Sequence, residues 1–379
     1  MAKKIKVLVD GHVFDGIFQG SRTFLKGLYA KLSESDSLDI YIAANDLNNL
    51  EREFSGINGT INFVRLKSKS KIKRLLVDLP ALVSKYKFDY VHYQYMDSPI
   101  KLCKSIITIH DVLFLEFVDD FSWLYQQKKY LFALAAYRSS ILTTDSEYSR
   151  IAINKYLNVP LNKIHIVQPA LDDDFIIPLS KRVAIASKKN IERKFKLNKY
   201  ILYVSRVEPR KNHEILLRAY LEMKLWESGY HLIFVGKNSI NSPKLNFLFD
   251  AMTENQQQYV SHYESVPHNE LLDLLRSASI FVCPSKAEGF GYPPLEAGAF
   301  GVETLISNAT CLSEFDFFGD RFFDPNDLDD LKNKILNIIS GDNVLPSMKG
   351  ISNTIRTNFN WDRTAYTMER LIVNDFKIN

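Results

Sequence analysis

Residues Ser285 to Asn308 read SKAEGFGYPPLEAGAFGVETLISN, and the rest of the chain is best read outward from them. The preceding run, Ser279-Ile-Phe-Val-Cys283, is continuously apolar, as a strand buried on both faces must be. A Gly-Phe-Gly turn then leads into Pro293-Pro294, and proline suits the first helical turn because its φ is already helical. A junction of strand, glycine turn and helix aims unpaired backbone N–H groups and the positive helix end at one spot, which favours a phosphate or diphosphate. Glu288 precedes the turn and Glu296 is expected in the first helical turn, a spacing of eight. Taken alone, the pair also fits a solvated loop acid and a complement to the helix dipole.

The length of 379 residues exceeds what one core usually serves, so two domains are expected. With 46% apolar and 24% charged residues the composition is that of a soluble globular protein, and a net charge of +4 is too weak to imply a nucleic-acid partner. Cys103, Cys283 and Cys311 stand far apart, which fits a reducing cytosol better than a disulfide framework or a thiolate metal site. The start, MAKKIKVLVDG, reads as a strand rather than a signal peptide, and no apolar run is long enough to span a bilayer.

Short apolar runs at 5–9, 39–43, 61–64, 90–93, 106–109, 141–144 and 163–167 alternate with helical patterns, and the rhythm restarts at 200–205, 231–235, 279–283 and 304–307. That alternation predicts two successive α/β domains, each a mostly parallel sheet covered by helices. Leu131–Tyr137 reads as a buried helix, and the basic, weakly periodic residues 178–199 read as a hinge. The predicted domains are 1–178, 179–358 and a C-terminal helix, 359–379.

Ligands of such sheets bind beyond the carboxyl ends of the strands. His110 sits at one such end, as a functional residue or as a hydrogen-bonded structural one. The loop after strand 200–205 holds three cations in six residues, Arg206, Arg210 and Lys211, where they could clamp a diphosphate or simply be solvated. The first glycine loop, with Gly16 and Gly20, lacks the G-x-G-x-x-G dinucleotide fingerprint. Asp172-Asp173-Asp174 lies in a connecting loop and reads as solvated rather than as a metal-holding D-x-D.

The motifs SRVEPRKN at 205–212, EGFGYPPLEA at 288–297 and Ser307-Asn308 together resemble the retaining family 4 glycosyltransferases of GT-B fold, especially their bacterial mannosyltransferase-like members. His110-Asp111, the run 145–149 and Phe323-Asp324-Pro325 fall in the corresponding order. The resemblance implies an α/β GT-B fold, two Rossmann-like domains facing each other across a deep cleft, the first binding acceptor and the second nucleotide-sugar, with the C-terminal helix 359–379 crossing back to the first. It implies a hexosyltransferase that retains anomeric configuration, with no metal or other cofactor, and mannose from GDP-mannose is the favoured donor.

By the same resemblance Arg206 and Lys211 hold the donor diphosphate, Glu288 contacts sugar hydroxyls, Glu296 the ribose, and His110 lies near the reacting face. The backbone of Phe290 and Gly291 helps to hold the donor, Gly236 borders the base region with residues 263–266, and Gly20 gives close backbone approach. Gln19-Gly20-Ser21-Arg22 offers one glycine where many relatives have two.

Residues 65–74 carry six cations, either a solvated face or a patch for an anionic membrane surface. The latter suits a glycan or lipid-linked acceptor in bacterial surface polysaccharide synthesis, and a cytoplasmic enzyme peripheral on the inner face of the membrane. A GT-B nucleotide-sugar epimerase and a non-catalytic nucleotide-sugar-binding partner are the competing readings.

Overall fold

The computed structural model describes residues 3–16, 20–118, 121–341 and 347–377. The chain divides into two compact units, Met1–Asp172 with Phe359–Asn379, and Asp173–Asn358. The first unit thus ends at Asp172, where the sequence reading placed the boundary at 178.

The first unit is built on seven parallel strands: β1 (Ile5–Asp10), β2 (Leu38–Ala44), β3 (Ile61–Arg65), β4 (Tyr90–Gln94), β5 (Lys104–Thr108), β6 (Ile141–Thr144) and β7 (Ile164–Ile166). Their order in the sheet is β3-β2-β1-β4-β5-β6-β7. Alternate side chains enter one of two cores: Val7 and Val9 face one side, Leu8 the other. The helix Trp361–Lys377 closes the first of these cores with Trp361, Met368 and Ile372. It packs on the helix Gly20–Leu32, where Gly27 leaves room for the Trp361 indole; a Cβ at Gly27 would lie 1.9 Å from the ring. Tyr90 and Lys104 fix its far end through Asp375, at 2.6 and 2.8 Å.

The second unit has β8 (Lys199–Val204), β9 (Tyr230–Val235), β10 (Val260–Tyr263), β11 (Ile280–Cys283), β12 (Thr304–Ser307) and β13 (Phe322–Phe323), in the order β10-β9-β8-β11-β12-β13. This repeats the connectivity of the first six strands of the first unit. Both are doubly wound Rossmann-like sheets whose strand order reverses once, at β1/β4 and at β8/β11, and such reversals open a crevice beyond the strand ends.

Two local readings need correction. Residues 181–195 are not a hinge but a helix docked on His268–Ser277, with Asp273 accepting from Ser187 at 2.5 Å and Asn190 at 3.0 Å. The helix Lys129–Arg138 is not buried throughout: Phe132, Ala135 and Ala136 face the core, while Tyr130, Leu131, Leu134 and Tyr137 are exposed.

Candidate active site

The loops following β8 and β11 meet at the reversal point of the second sheet. β8 ends at Val204, and Pro209–Lys211 form a single tight helical turn that Asn212 terminates at φ 57°. That turn delivers Lys211 inward. Its ammonium donates to Glu288 Oε2 at 2.5 Å, and both side chains are buried. The Lys286 amide donates to the Arg210 carbonyl at 2.8 Å and Arg210 to the Ala287 carbonyl at 3.0 Å, so the two loops are stitched through backbone as well.

Glu288 is held from behind by residues that sequence reasoning passed over. Ser285 donates to Glu288 Oε1 at 2.7 Å, and the Tyr203 hydroxyl lies 2.8 Å from Ser285 Oγ and 3.0 Å from the Lys211 carbonyl. Tyr203 belongs to the apolar run of β8, which reads as core, so only its hydroxyl could have signalled the role. Burial works against the Glu288 carboxylate, but the Lys211 ammonium and then the Arg210 guanidinium more than offset it and lower its pKa. The Glu288 amide donates to Thr310 Oγ1 at 3.0 Å, and the Cys311 thiol donates to the carbonyls of Glu288 and Phe290.

The three cations of the β8 loop do not act alike. Arg210 is turned into the protein against Glu208 at 2.7 Å, whereas the Arg206 side chain is 55% exposed and 3.7 Å from Glu208. Arg206 is therefore the cation of this loop presented to solvent and Lys211 the one held inside.

Beyond Glu288 the chain turns at Gly291 with φ 104°, and a Cβ there would also strike Leu312 at 2.4 Å. The helix runs from Tyr292 to Ala299, so Glu296 stands in its second turn, not the first as the sequence suggested. The Phe290 ring packs edge-on against Tyr292 and Phe315, leaving its backbone as the part that lines the turn. Gly236 ends β9 at φ 149°, where a Cβ would lie 2.0 Å from the Ser205 carbonyl oxygen; close approach of the β8 and β9 ends is what demands glycine.

In the first unit His110 follows β5 and is buried. Its Nδ1 contacts Asp145 at 2.9 Å, its Nε2 lies 3.3 Å from Gln94 Oε1, and Phe24 and Tyr95 meet the ring edge to face. Burial disfavours the imidazolium, yet the charge and hydrogen bond of Asp145 outweigh it and raise the His110 pKa. An open cavity of about 800 Å³ lies beyond β1 and β3, lined by His12, Asp15, Arg22, Asn45, Arg65 and Lys69 among others. Gly20 opens the helix Gly20–Leu32, and residues 17–19 of the glycine loop lie outside the described residues. Of the six cations at 65–74, Arg74 is buried against Asp10 at 3.2 Å and the other five are exposed. Asp172 accepts from the Trp361 indole and Asp174 from His268.

The two doubly wound sheets define a two-unit α/β protein of GT-B fold, with Lys211 and Glu288 paired beyond the strand ends of the second sheet. Residues 185–355, a little under half of the chain, match the family "Glycosyl transferases group 1". O-antigen chain mannosyltransferase B of Escherichia coli is 29% identical over 286 residues, 72% of this chain and 72% of that protein. Serotype-specific mannosyltransferase WbdA of Escherichia coli is 26% identical over 244 residues, 60% of this chain and only 28% of that longer protein. Sucrose-phosphate synthase from Thermosynechococcus elongatus shares the fold with a TM-score of 0.76 at 16% identity, over the whole of both chains. Anabaena Alr3699/HepE in complex with UDP-glucose does so with 0.74 at 14% identity, over 98% of this chain and 100% of that one.

Proposed function

We propose that the chain is a family 4 retaining hexosyltransferase that moves mannose from GDP-mannose to a glycan or lipid-linked acceptor in bacterial surface polysaccharide synthesis. The observation that carries this reading is the buried contact of Lys211 with Glu288 at the reversal point of the second sheet, with Arg206 exposed on the same loop. The mannosyltransferase names of relatives sharing 26–29% identity support the sugar. The solved likeness to a protein holding UDP-glucose supports a nucleotide-sugar donor without fixing the base.

In this reading the anomeric C–O bond to the diphosphate breaks, the acceptor oxygen bonds to the same carbon, and the acceptor proton passes to the departing phosphate. Arg206 and Lys211 stabilise the charge that gathers on the diphosphate. Glu288 orients sugar hydroxyls, with the backbone of Phe290 and Gly291 against the donor, Glu296 on the ribose, and Gly236 beside the base. His110 takes part in transfer on the acceptor-binding unit. Gly20 approaches the donor through its backbone, and the cavity with His12, Arg65 and Lys69 receives the acceptor. The chemistry requires no metal and no other cofactor.

In this reading the enzyme works in the cytoplasm, peripheral on the inner membrane face, where a lipid-linked acceptor would be met. Among the described residues no helix is long and apolar enough to cross a membrane. The test is turnover of GDP-mannose and UDP-sugars with and without glycan acceptors, reading the anomeric configuration of the product. Acceptor-dependent transfer of mannose with retention is expected; conversion of donor without acceptor, or an inverted product, overturns the reading.

A further inference from the structure

Three segments of the first unit share one surface. Ser98 donates to the Leu75 carbonyl at 2.6 Å, Arg138 donates to the Ser98 and Pro99 carbonyls at 3.3 and 3.1 Å, and Lys101 donates to the Arg138 carbonyl at 2.6 Å. Residues 71–77, 98–102 and the helix Lys129–Arg138 are thereby tied side by side, and the short helix Trp123–Gln126 directly precedes the last of them in the chain. At the other end Lys71 reaches Met96 Sδ, and its pKa is lowered by burial and by the neighbouring charges of Lys128 and Arg74.

This surface is apolar outward. Trp123 is 69% exposed, Leu124 75% and Tyr130 63%, and Leu131, Leu134 and Tyr137 continue the stripe at the spacing of one helix face. Ile72 and Val77 add to it from the adjoining segment, exposed by 69% and 58%. A helix with apolar residues on both faces is expected to bury both, yet only the inner face of Lys129–Arg138 is covered.

Within the segments that form the stripe every charge is positive, with Asp119 and Asp120 directly preceding the last of them. No carboxylate occurs in residues 65–77, 98–104 or 121–138. Lys67, Lys69, Lys71, Lys73 and Lys101 are exposed, while Lys128 lies over the Tyr125 ring at 3.4 Å and Lys129 over Tyr130 at 5.0 Å. Arg74 and Arg138 are neutralised from below by Asp10 and Asp97. Aromatic and aliphatic side chains in the middle with lysines at the rim match a bilayer of anionic lipid, whose interface takes Trp and Tyr and whose headgroups take ammonium groups.

We propose that this face docks on an anionic membrane, with Trp123, Leu124, Tyr130, Leu131 and Leu134 entering the interface. The basic segment 65–74 supplies attraction, and the helices of 123–137 supply insertion. The proposal gives a surface to the peripheral membrane placement read above and rests on that placement, not on the donor: failure of vesicle binding removes the docking and leaves sugar transfer to be tested by turnover.

Of the three tryptophans, Trp226 and Trp361 are buried, which leaves Trp123 as a built-in reporter. The full-length chain is mixed with vesicles of phosphatidylcholine, with or without about one third phosphatidylglycerol. Co-sedimentation and a blue shift of tryptophan emission are expected only with the anionic vesicles, weakening as salt is raised. Leu124→Ser with Leu131→Ser, both solvent-exposed, should lower the vesicle affinity at least about tenfold while leaving the melting temperature and transfer to a soluble glycan unchanged. Binding of neither vesicle by the parent chain, or equal binding by the variant, overturns the proposal. So does a concentration-dependent dimer that the same substitutions dissociate, since the face would then belong to a second copy.

Discussion

The Lys211 ammonium and the Glu288 carboxylate meet at 2.5 Å inside the second unit, each brought there by a different loop of one sheet. The pair therefore couples the integrity of the site to the integrity of the fold. Lys211→Met should leave Glu288 as a buried unpaired charge and cost about 3–5 kcal/mol in urea unfolding. Glu288→Gln in the same chain should restore most of that stability, while transfer stays down by about 10²–10³-fold because the diphosphate has lost its cation. Full activity in the double variant would remove Lys211 from the proposed chemistry.

The same pair sets an acid limit. Because the Glu288 pKa is lowered in the folded protein, its contribution is present above the ordinary value of 4.5 and is lost as pH falls below that through the folded value. Chemical unfolding measured between pH 7 and 3 should show a steeper acid loss for the parent chain than for Glu288→Gln.

Ser285 and Tyr203 are positioning residues. Ser285→Ala should lower kcat by several-fold with little change in KM, and cost about 1 kcal/mol of stability for one lost hydrogen bond. Restoration of kcat by Ser285→Thr, which keeps the hydroxyl, separates positioning from packing.

His110 holds its proton more firmly folded than unfolded, so its pairing with Asp145 contributes fully below about pH 6.5 and fades as pH rises through the folded pKa. In Asp145→Asn the imidazole keeps its burial and loses its counter-charge. NMR titration should then place the His110 pKa below 6.5, and the basic limb of the pH–rate profile should move if His110 serves transfer.

Much of the architecture was legible because strands buried on both faces are continuous apolar runs, and the runs from Ile5 to Ser307 fall where the strands lie. β10 reads Val-Ser-His-Tyr and β13 spans two residues, so neither offers enough apolar sequence to stand out. Residues 178–199 read as a hinge because the helix Lys181–Phe195 within them buries only Ser187 and Ile191. Leu131–Tyr137 reads as a buried helix because composition does not distinguish a covered apolar face from an exposed one. At the site, charged loop residues announced themselves at strand ends. Tyr203 and Ser285 did not, because their importance lies in contacts between segments far apart in sequence.

An engineered clash offers a direct probe of the two-part first unit. Gly27→Leu drives a side chain into the Trp361 indole and should destabilise this unit by about 1–3 kcal/mol. Two separate thermal transitions, with only the first unit's shifted, are the expected readout.

The place of Trp361 also fixes an order of events during synthesis. Residues 173–358 are contiguous and can fold as soon as they have left the ribosome. The earlier-made first 172 residues must wait, because one of their cores stays open until Trp361, Met368 and Ile372 arrive. The unit translated first is the one finished last, and in the interval its unclosed helix Gly20–Leu32 is a natural substrate for chaperones.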